Sequence, residues 1–454
     1  MARSILAAVQ QIKSDVAQFL SPELIHGVCA AVGHGWRDRI LDPVTTVHLF
    51  VLQILHGNTA CAQVPRLGAV ACSGEAYCHA RQRLPLGLLQ YLLHALSHFL
   101  GGSTMLDDGR WHGHRTFLAD GSSASMPDTP ALQKAFGQPG AQKPGCGFPV
   151  MHLLALFHAT TGFLLNVVAA PMRTHDMSGV SRVHPDLAAG DILVGDRGFC
   201  SFVHLALLAA RGVFGVFRGH QKQIVDFRPH RRTASKRSRK RKQRGLPSSR
   251  WLKRLGQHDQ LVEYVKPQPK NRPVWLTPEA FAALSDTIVV REIRYSIAER
   301  GRRTRVITLA TTLLDPERYP KADLAELYGQ RWQIETNFRH LKQTLRMDVL
   351  RCKTVEGVKK ELAMYALVYN LVRLVMHEAA QGQGVAVARI SFIDAVRWLA
   401  DAAHGAAELK LRLLPDRPGR FEPRAVKRRP KQYKRLNQPR AVLRKRLLSK
   451  RDVA

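Results

Sequence analysis

Acidic residues are scarce in this 454-residue chain: 35 Asp and Glu stand against 69 Lys and Arg, a formal net charge of +34 at pH 7. A charge that large repels itself unless a polyanion neutralises it, and nucleic acid is the usual polyanion. Cysteine is sparse too. The seven residues Cys29, Cys61, Cys72, Cys78, Cys146, Cys200 and Cys352 are odd in number and form no C-x-x-C pair. That excludes a zinc ribbon and a disulfide framework and predicts reduced thiols in a cytosolic protein. Long apolar runs are missing as well. The most apolar helical stretch, Glu361–Ala380, is interrupted by Asn370, Arg373 and His377 and is too polar for a lipid span. The opening Met-Ala-Arg-Ser-Ile-Leu has no apolar leader followed by a cleavage site, so no membrane partner is expected.

What is present is enough apolar residue, 45%, to bury a sizeable core. The positive charge is concentrated. Arg218–Arg254 holds fifteen Lys/Arg against Asp226 alone, and Lys410–Arg451 holds seventeen against Asp416 and Glu422. The chain therefore reads as a near-neutral globular body with two basic appendages.

Residues 1–105 carry helical periodicity over Ser4–Phe19, Pro22–Val32, Pro43–Leu55 and Leu86–Leu100. Between them, Thr59–Arg66, a turn at Gly68 and Ser73–Leu84 suggest a helix-turn-helix, with Ser73 as N-cap and His79, Arg81 and Arg83 on the second helix. An ordinary helical hairpin is the alternative. From Arg115 the period changes. Arg115–Ala119 reads as a short strand running into Asp120, and Met151–His158 and Phe163–Ala170 as a hairpin. Asp176–Ala188 reads as a helix, Asp191–Gly195 as a buried strand ending at Asp196, Phe202–Ala210 as a helix and Val213–Phe217 as a strand. That succession predicts an α/β fold with a mixed sheet. Leu261–Val265, Thr287–Ser296 and Arg302–Ala310 then predict an inserted β-rich subdomain, and the helices Lys321–Met347 and Val358–Ala380 follow.

Three features could carry chemistry. Asp120 and Asp196 end strands, where a sheet rim meets solvent, although a strand-terminal Asp also commonly caps a turn. Tyr328, Arg331, Glu335 and Lys342 stand at offsets of zero, three, seven and fourteen. At ~100° per residue these fall within an arc of about 60° on one helix face. Leu327, Ile334, Phe338, Leu341 and Leu345 form the adjacent apolar stripe. A solvated face of ion pairs would explain Arg331 and Glu335, but not Tyr328 and Lys342.

At these residues the chain resembles the DDE transposases of bacterial insertion sequences, in the subgroup with a Y-x2-R-x3-E-x6-K signature (insertion sequence family four). Leu118-Ala119-Asp120-Gly121 is similar to the family's first catalytic strand, Gly190–Phe199 to its second motif, and Tyr328–Glu335 with Lys342 to its signature; the tail Glu422–Lys431 is similar too. The resemblance implies an RNase H-like mixed-sheet core. A helical DNA-binding region (1–105) would precede it and a helical, basic region (351–454) would follow. The core would span 106–217 and 315–350, interrupted by a basic loop and β-rich insertion (218–314). It also implies that Asp120, Asp196 and Glu335 converge as catalytic acids around two Mg²⁺ ions, with Mn²⁺ able to substitute, and that Tyr328, Arg331, Lys342 and Arg197 contact DNA, whereas Arg81 and Arg83 are expected DNA contacts from the helix-turn-helix reading. The expected partners are double-stranded DNA, as element inverted repeats and target, and a second copy in the DNA-paired complex. The expected location is the bacterial cytoplasm, at the nucleoid. The basic runs Arg231–Arg244 and Lys427–Arg446 would grip phosphates rather than stack on bases, with a solvated charge run as the alternative. Relatives that excise through a DNA hairpin carry a Trp on the strand before the signature helix. Arg305–Leu309 has none, and Trp251 and Trp275 lie farther upstream. A nuclease without strand transfer, or a non-enzymatic DNA-binding relic, are the competing functions.

Overall fold

The computed structural model describes residues 6–7, 9–10, 14–107, 109–234, 246–297, 306–401, 408–415 and 436–451. Three of its N-terminal helices begin at side-chain caps, as their sequences require. Ser21 accepts from Leu24 N (3.2 Å) at α1 (Pro22–Ala31), and Asp42 from Thr45 N (2.7 Å) at α2 (Pro43–Leu55). Both helices place Pro in the first turn, where its missing N–H costs nothing. Ser73 accepts from Ala76 N (3.0 Å) at α3 (Gly74–Arg83), and α4 (Leu86–Gly102) follows. The helix expected over Ser4–Phe19 is seen in part, as Ser14–Ala17 followed by a 3₁₀ turn at Gln18–Leu20. The expected helix-turn-helix is incomplete. Its first member is a 3₁₀ turn (Cys61–Gln63) and a single α-turn (Val64–Leu67), too short to brace a recognition helix across a groove.

Nine strands of the described residues make one mixed sheet: β1 Thr116–Ser125, β2 Val150–His158, β3 Leu164–Pro171, β4 Ile192–Gly195, β5 Phe214–Arg218, β6 Arg250–Gly256, β7 Asp259–Val265, β8 Thr287–Ser296 and β9 Val306–Thr311, in the order β3-β2-β1-β4-β5-β9-β8-β7-β6. The β2–β3 hairpin is where the sequence places it. The helix expected over Asp176–Ala188 is not. Only Asp176–Gly179 is α-helical, followed by 3₁₀ turns at Val180–Arg182 and His184–Asp186, because Gly179 and Pro185 oppose a continuous ladder. α5 (Phe202–Ala210) carries the chain from β4 to β5.

The strands of the expected insertion do not form a sheet of their own. β9 pairs antiparallel with β5 from Val216↔Thr311 to Arg218↔Leu309, so β6–β9 continue the core sheet. β6 escaped the sequence reading because it is an edge strand studded with Arg250, Lys253 and Arg254, charges that discourage further pairing.

After β9 come α6 (Lys321–Gly329), α7 (Trp332–Arg339), a π-helical turn at His340–Thr344, α8 (Val355–Gly382) and α9 (Phe392–Asp401). α8 is buried on almost every face, which makes it a core helix rather than a partner surface. Two of its polar residues are satisfied by partners within the fold. Asn370 bonds both main-chain groups of Leu164 (2.9 and 2.8 Å), and Arg373 donates to the Tyr369 hydroxyl (2.9 Å). One hydrophobic core runs from the N-terminal helices through the sheet to α8 and α9, so the boundaries expected from the sequence do not separate independent cores. All seven cysteines are free. Among the described residues no helix is long and apolar enough to cross a membrane. Of the expected basic grips, residues 235–244 and 427–435 lie outside the described residues, as does the tail motif Glu422–Lys431.

Candidate active site

Asp120 does not end its strand. β1 runs on to Ser125 because β2 pairs along its whole length, from Phe117↔His158 through Asp120↔Ala155 to Ser125↔Val150. Only the parallel pairing with β4 stops, at Ala119↔Gly195. Asp120 and Asp196 are the next residues on these two neighbouring strands, so they start about 4.8 Å apart, one strand spacing. Gly195 makes the close packing beneath them possible. A Cβ there would meet the rings of Phe199 and Phe217 at 3.0 and 3.2 Å.

The signature segment is not one straight helix. α6 ends at Gly329, a tight turn bonds Arg331 N to Tyr328 O (3.2 Å) and Gln333 N to Gln330 O (2.8 Å), and α7 begins at Trp332. The single-face arithmetic therefore fails in detail, yet the side chains still reach one cleft. The Tyr328 hydroxyl donates to Asp196 Oδ1 at 3.5 Å. Arg331 donates from Nη1 to Asp120 Oδ2 (3.4 Å), and its Nη2 lies 3.8 Å from Glu335 Oε1. Lys342, on the π turn, donates to Ser122 Oγ at 3.4 Å. The apolar stripe Leu327, Ile334, Phe338, Leu341 and Leu345 is buried as expected and anchors the segment. Irregular helical turns of this kind recur where side chains must be re-aimed.

Burial pushes the Asp120 carboxyl up to about 6, and the charges of Asp176 and Asp196 push the same way, against the Gly121 N–H (2.8 Å) and Arg331. Burial also holds the Tyr328 phenol well above its ordinary value, so it is a neutral donor at physiological pH. Glu335 is 54% exposed and is held by Arg331 rather than by the aspartates. As placed, no three His, Cys, Asp or Glu among the described residues stand close enough to hold a metal ion. The expected convergence is therefore partial: Arg331 supplies the positive charge between Asp120 and Glu335. The donor set is chemically suited to a hard divalent cation all the same. It is all carboxylate oxygen, and one member is crowded by like charges that such an ion would neutralise.

Arg197 sits at the rim beside Asp196 and donates to Gln221 Oε1 (3.2 Å). Arg81 is not placed for DNA. Its guanidinium points inward to Gln53 Oε1 (2.9 Å) and Cys352 Sγ (3.5 Å), over the Phe50 ring at 4.9 Å. Arg83 is exposed, on the wall of a groove with Trp36, Arg37 and Arg39. Trp275 is partly buried against the core, and Trp251 lies beside the His230 ring.

Sequence reasoning missed four residues around the cleft: Asp176, His152, Ser122 and Trp332. Asp176 packs against Gly121, where any Cβ would lie 2.1 Å from its Oδ1, and His152 Nε2 stands 2.7 Å from the same oxygen. No spacing could have revealed this, because it depends on the β1–β2 register Ser123↔His152. Ser122 was passed over as a small polar neighbour of Asp120. Trp332, 51% exposed with Arg331 5.4 Å from its ring, did have a signal: an aromatic on the solvent side of a signature helix.

A family model described as transposase DDE domain matches residues 111–371, more than half of the chain. Transposase InsG for insertion sequence element IS4 of Escherichia coli (strain K12) is 26% identical over 448 residues, covering 92% of this chain and 93% of that protein. Among solved structures, the piggyBac transposase synaptic complex with hairpin DNA matches with a TM-score of 0.45 at 10% identity, covering 86% of this chain and 79% of the other.

Proposed function

The chain belongs to the transposase DDE-domain family and is a DNA transposase, and from that premise we propose that it cuts at the ends of its element and joins the freed 3′-hydroxyl to target DNA, with Asp120, Asp196 and Glu335 as catalytic acids. The observation that carries the assignment is the pairing Ala119↔Gly195, which sets two acids side by side, together with the reach of Arg331 from Asp120 to Glu335. On this reading the sheet and its covering helices are an RNase H-like core.

The three acids would hold divalent cations, Mg²⁺ or Mn²⁺, which when bound neutralise the carboxylates and stabilise charge during in-line displacement at phosphorus. In the first reaction water forms the new P–O bond and the 3′-oxygen leaves with a proton. In the second that 3′-hydroxyl gives up its proton and attacks a target phosphate, forming the new P–O bond as the target strand's own 3′-oxygen leaves with a proton. Arg331 presents a planar fork able to turn from the acids to a phosphate, whereas Lys342 offers a point charge beside Ser122. Tyr328, a neutral donor, would bond or stack on the terminal nucleotide, and Arg197 would hold a flanking phosphate. Holding two ends together calls for a dimer of the chain on double-stranded DNA.

The test is joining of an oligonucleotide bearing the element's terminal repeat to plasmid DNA, with and without Mg²⁺. Joined product that requires the ion is expected. Cutting without joining would make the protein a nuclease, and neither activity would leave a DNA-binding relic.

A pH dependence follows from Asp120. Without a cation its carboxyl keeps a proton up to about pH 6, so an incoming ion must displace it. The Mg²⁺ concentration for half-maximal joining is therefore expected to rise about tenfold per pH unit below about 6 and to level off above it. The linkage to folding has the opposite sense. Because the folded value lies above the unfolded one, this residue's contribution to stability is full below about pH 4 and is lost as pH rises through about 6. A half-maximal Mg²⁺ concentration that stays flat down to about pH 5 would contradict the assignment.

A further inference from the structure

The rim of the sheet that carries Asp196 continues into the strands after β5. β5 is in register with β4, so Arg218 lies level with Asp196, and Arg218↔Leu309 and Leu309↔Ile293 carry that level across β9 to β8. One residue farther out stand Arg294 on β8 and His258, whose carbonyl accepts from Arg294 N (2.9 Å). There the surface opens into a pocket of about 470 Å³ whose lining includes Phe227, Arg228, Arg254, His258 and Arg294, with Asp226 as its only acid.

The charges in this pocket are not equivalent. Arg228 grips Asp226 through both carboxylate oxygens (2.7–3.1 Å), so that pair is nearly neutral. Among the described residues no carboxylate pairs with Arg254 or Arg294. Arg294 is aimed by bonds to Thr308 Oγ1 (3.1 Å) and Val225 O (3.4 Å), and it stacks 4.9 Å from the Phe227 ring. Arg254 is exposed on the edge strand β6, tethered by one bond to Gly256 O (3.3 Å). Two acid-free guanidiniums, one of them held in orientation, make a built anion site. Its place on the rim says which anion. β4 to β8 is three strand spacings, about 14 Å, or about four base pairs along a duplex axis.

We propose that Arg294 binds a backbone phosphate of the DNA being cut, about four base pairs from the bond held at Asp120 and Asp196, and that Arg254, which lines the same pocket from β6, binds a neighbouring phosphate farther out. This site rests on the transposase reading. It extends that reading to a duplex lying along the β4–β8 rim, held by contacts that carry no base information.

The experiment is binding of the full chain to a fluorescein-labelled duplex of arbitrary sequence, in EDTA, across a range of NaCl concentrations. Each lost phosphate contact lowers the slope of log affinity against log salt by about 0.9, so R254A/R294A is expected to lose about 1.8. R254E, at an exposed position that folding does not need, is expected to lose at least about 0.9, whereas Arg211→Ala, beyond the opposite end of β5, leaves the slope unchanged. Unchanged slopes in R254E and in a folded double variant would overturn the pocket while leaving the transposase reading intact. A wild-type chain that neither binds duplex nor joins ends would overturn both.

Discussion

Replacing Glu335 by Gln is expected to lower divalent-dependent joining by at least about a thousandfold while duplex affinity stays within about twofold. The amide keeps the shape of the carboxylate and removes its charge, so the variant isolates the acid's part in holding the cation. Folding should be untouched, because Glu335 is half-exposed and its only ion-pair partner among the described residues, Arg331, keeps Asp120 at 3.4 Å. The contrast with Arg331 is informative. Losing Arg331 removes the charge that lies between Asp120 and Glu335 and, on the proposed reading, a DNA contact as well, so affinity and rate should fall together, whereas Glu335→Gln separates them. Joining within tenfold of wild type, with unchanged melting temperature, would remove Glu335 from the catalytic set.

The largest effect on stability is expected at Asp259→Ala. Arg291, 1% exposed, donates from Nε and Nη2 to the two oxygens of Asp259 (2.9 and 2.6 Å). Removing the carboxylate leaves a buried, uncompensated guanidinium, at a cost of about 3–5 kcal/mol. The damage should travel. Arg291 also donates to Tyr319 O (2.7 Å) and Asp315 O (3.3 Å), in the segment leading into α6, so this pair ties β7 and β8 to the helix that carries Tyr328. A denaturant titration should show the lost midpoint. The paired replacement Arg291→Met with Asp259→Leu should recover most of it, because two apolar side chains leave no orphaned charge. A single-variant loss below about 1 kcal/mol would mean that the guanidinium finds another partner or water. At the Arg228–Asp226 pair, whose guanidinium lies in solvent, the Arg228→Ala change should cost far less, since solvent already screens it.

How legible the molecule was depends on the range of the interactions involved. α5 was readable to the residue because its cap, Ser201, and its apolar period are local. The β2–β3 turn and the stripe from Leu327 to Leu345 were readable for the same reason. The strand β6 was not, since its basic residues carry no apolar alternation and only β7 across the ladder makes it a strand. The helix expected over Asp176–Ala188 is broken at Gly179 and Pro185, and that signal too is local. Arg81 failed for the opposite reason: its inward partners Gln53 and Cys352 are 28 and 271 residues away.

The chain alone determined which residues could do the chemistry, because the spacing of Tyr328, Arg331, Glu335 and Lys342 and the acids after Ala119 and Gly195 are written in it, and because an excess of cations demands a polyanion. Folding decided how those residues meet. Strand register set Asp120 beside Asp196, a break between α6 and α7 turned Arg331 onto Asp120, and pairing of β5 with β9 extended the rim past Arg218. Such outcomes are set by hydrogen bonds and burial between segments tens to hundreds of residues apart, and no local pattern encodes them.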